Sequence, residues 1–170
     1  LAKEGYVPAY AFLGGLYSNG QGVAESKMLA RHWYGLGAEN NDPVSLYNMG
    51  IYSDVGIGGP KDSSAALGYY RRAAALGDSQ AAFNAGQMLL TGDGVEVDLA
   101  AGAALIQTAA DAGVGNAQLT LGYMHDAGMG VPVSFAKTEQ YYRAALNGGE
   151  VEAEARSRLW DFEDKMIARG

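Results

Sequence analysis

Small and apolar side chains recur along this chain at helical spacing, and the recurrence itself repeats over a longer period. Ala9, Leu13 and Leu16–Tyr17 share one face of a helix expected over about residues 7–18. Gly20-x-Gly22 interrupts that face, because glycine adopts positive φ where other residues are strained. Ser26 then stands where a helix N-cap is wanted. A second helix is expected after it, with the large pair Trp33/Tyr34 inside and small residues at its end.

The same pattern returns every 36 residues. Gly14, Gly50, Gly86 and Gly122 form one column, Gly20, Gly56, Gly92 and Gly128 a second, and Gly22, Gly58, Gly94 and Gly130 a third. The cap repeats as Asp62, Asp98 and Ser134, and the large pair as Tyr69/Tyr70, Leu105/Ile106 and Tyr141/Tyr142. Ala9, Ser45, Ala81, Ala117 and Ala153 stay small, and Gly77, Gly113 and Gly149 match Asn41. The Gly14 column falls in mid-helix, where glycine costs about 1 kcal/mol relative to alanine. Such a cost is tolerable where a neighbouring helix must come close. Helix pairs of this length cannot each bury a face alone, so they are expected to stack into an array.

These residues reach a family. Ala-x-x-x-(Leu/Met/Ala)-Gly, then Gly-x-Gly-Val, a Ser/Asp cap, the large pair and Ala-Ala before Gly resemble the Sel1-like repeat, a relative of the tetratricopeptide repeat. Tyr47-Asn48-Met49-Gly50 and Phe83-Asn84-Ala85-Gly86 carry the first-helix signature. Departures are Gly59 for the usual Val, Leu105/Ile106 for the aromatic pair, and Ser53, Leu89 and His125 in the column of Tyr17. The resemblance implies an all-α fold, a right-handed α-solenoid of antiparallel helix pairs. Its repeats would span 7–42, 43–78, 79–114 and 115–150.

The two ends read differently. Residues 1–6 align with the tail of a second helix, so a truncated upstream repeat is expected there. Residues 151–170 keep Ala153 in register but have Arg158 in the glycine column. Val151, Ala155, Leu159, Phe162 and Met166 make one apolar stripe there, with Glu152/Arg156, Glu154/Arg158 and Asp161/Lys165 as i,i+4 pairs. A C-terminal capping helix is the expectation, since the outer face of an array must meet water.

Composition narrows the chemistry. With 12 Lys and Arg against 19 Asp and Glu, the net charge is −7, and a nucleic-acid partner is not expected. There is no Cys, which excludes disulfides, thiolate metal sites and a Cys nucleophile. No apolar run is long enough for membrane insertion. Gly-x-Gly lacks the strand and the Lys-Ser/Thr of a phosphate loop. Asp93-Gly94-Val95-Glu96-Val97-Asp98 is too short for an EF-hand and reads as a solvated loop ending in a cap. His32 reads as a surface or groove residue, and His125, beside Asp126, as a packed histidine with a local partner. Met28, Met49, Met88 and Met124 fit helix packing. No catalytic constellation, metal site or cofactor is expected, and the chain does not read as an enzyme.

What remains is surface. First helices of such arrays generally line the concave side, and one stripe on them is left over by packing. It carries Phe12, then Asn48 and Ile51, then Asn84 and Gln87, then Thr120 and Tyr123, and finally Arg156. Amides there could bond both N–H and C=O of an extended peptide. A carboxylate clamp is not expected, because the stripe has no Lys and Arg156 is its one Arg. The function expected is a non-catalytic protein–protein interaction or scaffold module binding a protein or peptide on that face. It would be part of a longer bacterial adaptor, envelope or signalling protein, and the resemblance leans towards the bacterial periplasm or cell envelope. The alternative is a glycan-binding or accessory module of an envelope enzyme whose catalytic domain lies upstream, seeded by Tyr123 with Asn84 and Gln87. The sequence leaves the oligomeric state open.

Overall fold

The computed structural model describes residues 7–147 and 151–168, and all regular structure among them is helical. The expected upstream tail at residues 1–6 and the column residue Gly149 lie outside the described residues. The helices are α1 (Val7–Asn19), α2 (Lys27–Glu39), α3 (Pro43–Val55), α4 (Ser63–Ala75), α5 (Ser79–Thr91), α6 (Leu99–Asp111), α7 (Gly115–Ala127), α8 (Phe135–Ala145) and α9 (Glu152–Ile167). The first seven have 13 residues each, α8 has 11 and α9 has 16. The chain is an all-α array of tandem helix pairs with a C-terminal helix.

Each expected cap is made. Ser26, Asp62, Asp98 and Ser134 accept hydrogen bonds from the backbone N–H of Leu29, Ala65, Ala101 and Lys137. Asp42 and Asp78 do the same for α3 and α5, accepting from Ser45 and Ala81 at 2.8 Å. All eight joint glycines of the second and third columns have φ between 65° and 80°. Those joints let the chain turn back so that Ser26, Asp62, Asp98 and Ser134 N–H reach the carbonyls of Tyr17, Ser53, Leu89 and His125.

Two compact units arise. One comprises the described residues up to Ala81 with Asp93–Val95, the other Ala82–Gly92 and the described residues from Glu96 onward. In the first unit the mid-helix glycines have a steric cause. A methyl added to Gly14 would lie 2.5 Å from the ring of Tyr34, and one on Gly50 would overlap the ring of Tyr70. Gly58 rests on the backbone of Lys27 at the start of α2, and Gly94 on Ser63 at the start of α4. Arg31 donates to the carbonyls of Tyr52 (3.0 Å) and Ile57 (3.1 Å), holding the end of α3. Arg72 of α4 donates to the Ala38 carbonyl and to Asn41 Oδ1. Asn41 occupies the left-handed region with φ 57°, the conformation its column supplies with glycine at Gly77 and Gly113.

The second unit repeats the device with one change. Added methyls would lie 2.6 Å from Tyr142 at Gly122 and 2.8 Å from Ile106 at Gly86. Gly130 rests on the backbone of Leu99 at the start of α6. The last core is built by Leu119, Tyr142, Ala145, Val151, Ala155, Leu159 and Phe162. The predicted apolar stripe of α9 is therefore its buried face, with Met166 partly buried at its end.

The repeat register does not extend into α9 as the sequence suggests. Ala155, Leu159 and Phe162 are buried 38 residues after the buried Ala117, Leu121 and Met124, while Ala153 is exposed. In the same region α8 ends at Ala145, two residues early in the repeat, and α9 begins at Glu152, one residue late. By this offset Trp160 of α9, 68% exposed, stands where α7 has Gly122. Of the four methionines assigned to packing, Met49, Met88 and Met124 are buried, but Met28 is 72% exposed.

Candidate functional site

The left-over positions of the first helices divide between the two units. In the first unit Phe12 of α1 is 67% exposed, and Val44 and Val55 of α3 are also exposed. Asn48 and Ile51 of α3 are half-buried between them in sequence. Asn48 Nδ2 donates to the Val44 carbonyl at 2.8 Å, so one of its amide hydrogens is used on its own helix. An exposed aromatic and two exposed valines on α1 and α3 give this unit apolar anchors, with an amide among them.

In the second unit Asn84 and Gln87 of α5 and Thr120 of α7 are half-buried, and Tyr123 of α7 is 44% exposed. On α9, Arg158 rather than Arg156 is the arginine beside Tyr123. Arg158 places its guanidinium 5.8 Å from the Tyr123 ring centroid, a cation–π distance. Arg156 pairs with Glu152 and is exposed. The two-residue offset of α9 explains the exchange, since Arg158 stands 38 residues after Thr120. Arg158 also pairs with Glu154 at 3.3 Å.

The histidines take structural places. His32 is exposed and meets the Trp33 ring edge-on at 5.4 Å. His125 is buried, stacks on Tyr141 at 5.8 Å, and donates from Nδ1 to the Pro132 carbonyl at 2.9 Å. Its partner is that carbonyl, not Asp126, which pairs with Lys165 of α9 at 2.7 Å. Burial holds the Tyr34 hydroxyl above its ordinary pKa, with Tyr52 adding to the effect. Burial does the same for Tyr142, against a lowering by Arg158, with Asp126, Tyr123 and Glu154 reinforcing the rise. Among the described residues no group of His, Asp and Glu side chains is arranged to hold a metal. No helix among them is long and apolar enough to cross a membrane.

The sequence model of the Sel1 repeat matches residues 7–42, 43–78, 79–114 and 115–150. The chain belongs to the Sel1 repeat family. Solved structures agree. A Sel1 repeat protein from Oxalobacter formigenes is 30% identical, with a TM-score of 0.79 over 93% of this chain and 62% of that one. The protein c5321, a protective antigen present in uropathogenic Escherichia coli strains and displaying an SLR fold, is 31% identical. It gives a TM-score of 0.89 over 94% of this chain and 34% of its own. Helicobacter pylori cysteine rich protein B, 22% identical with a TM-score of 0.55 over 71% of this chain and 86% of its own, shares the fold. This chain thus spans less than two thirds of the first two proteins. No curated protein matches it. Sel1 repeat proteins are typically interaction modules rather than catalysts.

Proposed function

We propose that this Sel1 repeat chain is a non-catalytic interaction module that binds a protein or peptide through the left-over faces of its first helices. The observation that carries the reading is the exposure of large apolar groups on α1, α3 and α7: Phe12, Val44, Val55 and Tyr123. A fold that buries its Tyr34, Tyr70 and Tyr142 rings so fully gains nothing from leaving these in water. In each unit a first helix also carries amides: Asn48 on α3 in the first, Asn84 and Gln87 on α5 in the second. Apolar anchors supply affinity and amides read the backbone of an extended ligand. The module would serve as an adaptor or scaffold within a longer bacterial protein.

The test treats the units separately. A pull-down from source-cell lysate compares the wild type with Phe12/Asn48/Ile51→Ala and with Asn84/Gln87/Tyr123→Ala, each matched for helicity by circular dichroism. Loss of one defined captured protein in either variant supports the reading and assigns the unit. Unchanged capture by both removes the first-helix faces from the function.

A further inference from the structure

A different surface of the second unit lies between α8 and α9. Phe135, Phe162, Met166 and Ile167 line an open groove of about 440 Å³, with Glu139 and Glu163 among its walls. Arg143 reaches both carboxylates at 2.9 Å, so two negative charges share one positive charge. Ile167 is 78% exposed, and Trp160 lies two turns before it on the same side of α9.

The repeats show what a groove of this kind holds. In the first unit α4 lies against both α2 and α3: Tyr70 sits over Gly50, and Arg72 bonds the end of α2. In the second unit α8 lies against both α6 and α7: Tyr142 sits over Gly122, and Tyr141 Oη pairs with Gln107. The α8/α9 groove is the next in that series. Its wall at Phe135 corresponds to Leu99, the residue on which the following joint glycine, Gly130, rests. One feature is new: α9 offers Trp160 where a glycine hole would admit a tyrosine ring. Trp160 stands outside the groove's lining on the same side of α9, so a helix that runs on past the groove meets the indole and needs a small residue opposite it.

We propose that the α8/α9 groove docks an amphipathic helix of a partner protein, with a small-residue apolar stripe and Lys or Arg on its flanks. The apolar lining takes the stripe in the helix-in-groove mode. The carboxylate excess at the rim, on a chain of net charge −7, selects positive flanks. This surface is independent of the first-helix faces.

The probe is a stapled peptide of residues 62–77 carrying Tyr70→Ala, which keeps Arg71 and Arg72 and opens a small site for the indole. Binding is read from Trp160 fluorescence in a Trp33→Phe background, with sedimentation of the free chain alongside. Saturable binding is expected. It should weaken at least tenfold for the peptide with Arg71 and Arg72 replaced by Glu, and for the Ile167→Lys protein, whose exposed substitution spares the fold. The exposed Val97→Lys variant should bind as the parent does. No saturable change, or equal binding by the acidic peptide, overturns the proposal. So does a dimer of the free chain that Ile167→Lys dissociates, because the occupant would then be a second copy.

Discussion

In the pair α3/α4 the ring of Tyr70 lies over Gly50, whereas in α5/α6 the aliphatic side chain of Ile106 takes the same place over Gly86. The second arrangement brings in a further glycine. A methyl added to Gly102 would lie 2.8 Å from Leu90 and 3.1 Å from the Gly86 carbonyl oxygen, and one on Gly86 would lie 3.1 Å from the Gly102 carbonyl oxygen. The α3/α4 pair thus fills its hole with a rigid ring. The α5/α6 pair brings two backbones together and fills the remainder from both sides, with Ile106 and Leu90. The same hole in the repeat is satisfied by one large group or by close approach, so the glycine is constant while its neighbour varies.

The largest effect should come from deleting the wedge. Tyr70→Ala should cost about 4 kcal/mol in urea unfolding, since a ring only 2% exposed leaves a cavity against Gly50. Ile106→Val, which trims the same position by one methyl, should cost about 1 kcal/mol. Comparable losses would mean the two pairs collapse alike. Next, Gly50→Ala should destabilise by about 2 kcal/mol net. Overpacking against an aromatic ring exceeds the roughly 1 kcal/mol of helix propensity gained. Gly86→Ala should cost less, because the nearest Ile106 atoms are its flexible end. The reverse order would break the distinction between ring and close approach. A smaller coupling, about 1 kcal/mol by double-mutant cycle, is expected between Gly102→Ala and Leu90→Ala, since trimming Leu90 makes room for the new methyl. Additive effects would show that Leu90 does not fill that hole.

The smallest expected effect is alkaline. Unfolded tyrosine loses its proton near pH ~10, while the burial that raises Tyr34 and Tyr142 keeps their protons on in the fold. The unfolded state therefore binds fewer protons above that pH. The contribution of these tyrosines is complete below about pH 10 and is lost as pH climbs through their higher folded values. Urea midpoints on either side of pH ~10 should show the decline, and Tyr34→Phe should reduce it.

The helices, their caps and their joints were legible because each is decided within a few residues. Ser26 or Asp62 caps the helix that follows it, and Gly20-x-Gly22 turns because of its own φ values. The mid-helix glycine at Gly14 was legible as a close approach, though only the structure names Tyr34 as what approaches. Candidate surface residues were legible by subtraction at Phe12 and Tyr123, which are exposed. At the C-terminal end Arg156 is exposed as well. It was counted in phase with the repeat, but the buried residues of α9 come two positions later and Arg158 lies beside Tyr123.

The sequence by itself determined the 36-residue period, the all-helical pairs and the turns that join them. These rest on side-chain periodicity, capping chemistry and glycine's access to positive φ, which act locally. Only the tertiary structure decided the register of α9, the carbonyl partner of His125, the exposure of Met28 and the groove lined by Phe135 and Phe162. Each of these depends on which surfaces meet across long stretches of chain, and packing settles that after the local rules have been met.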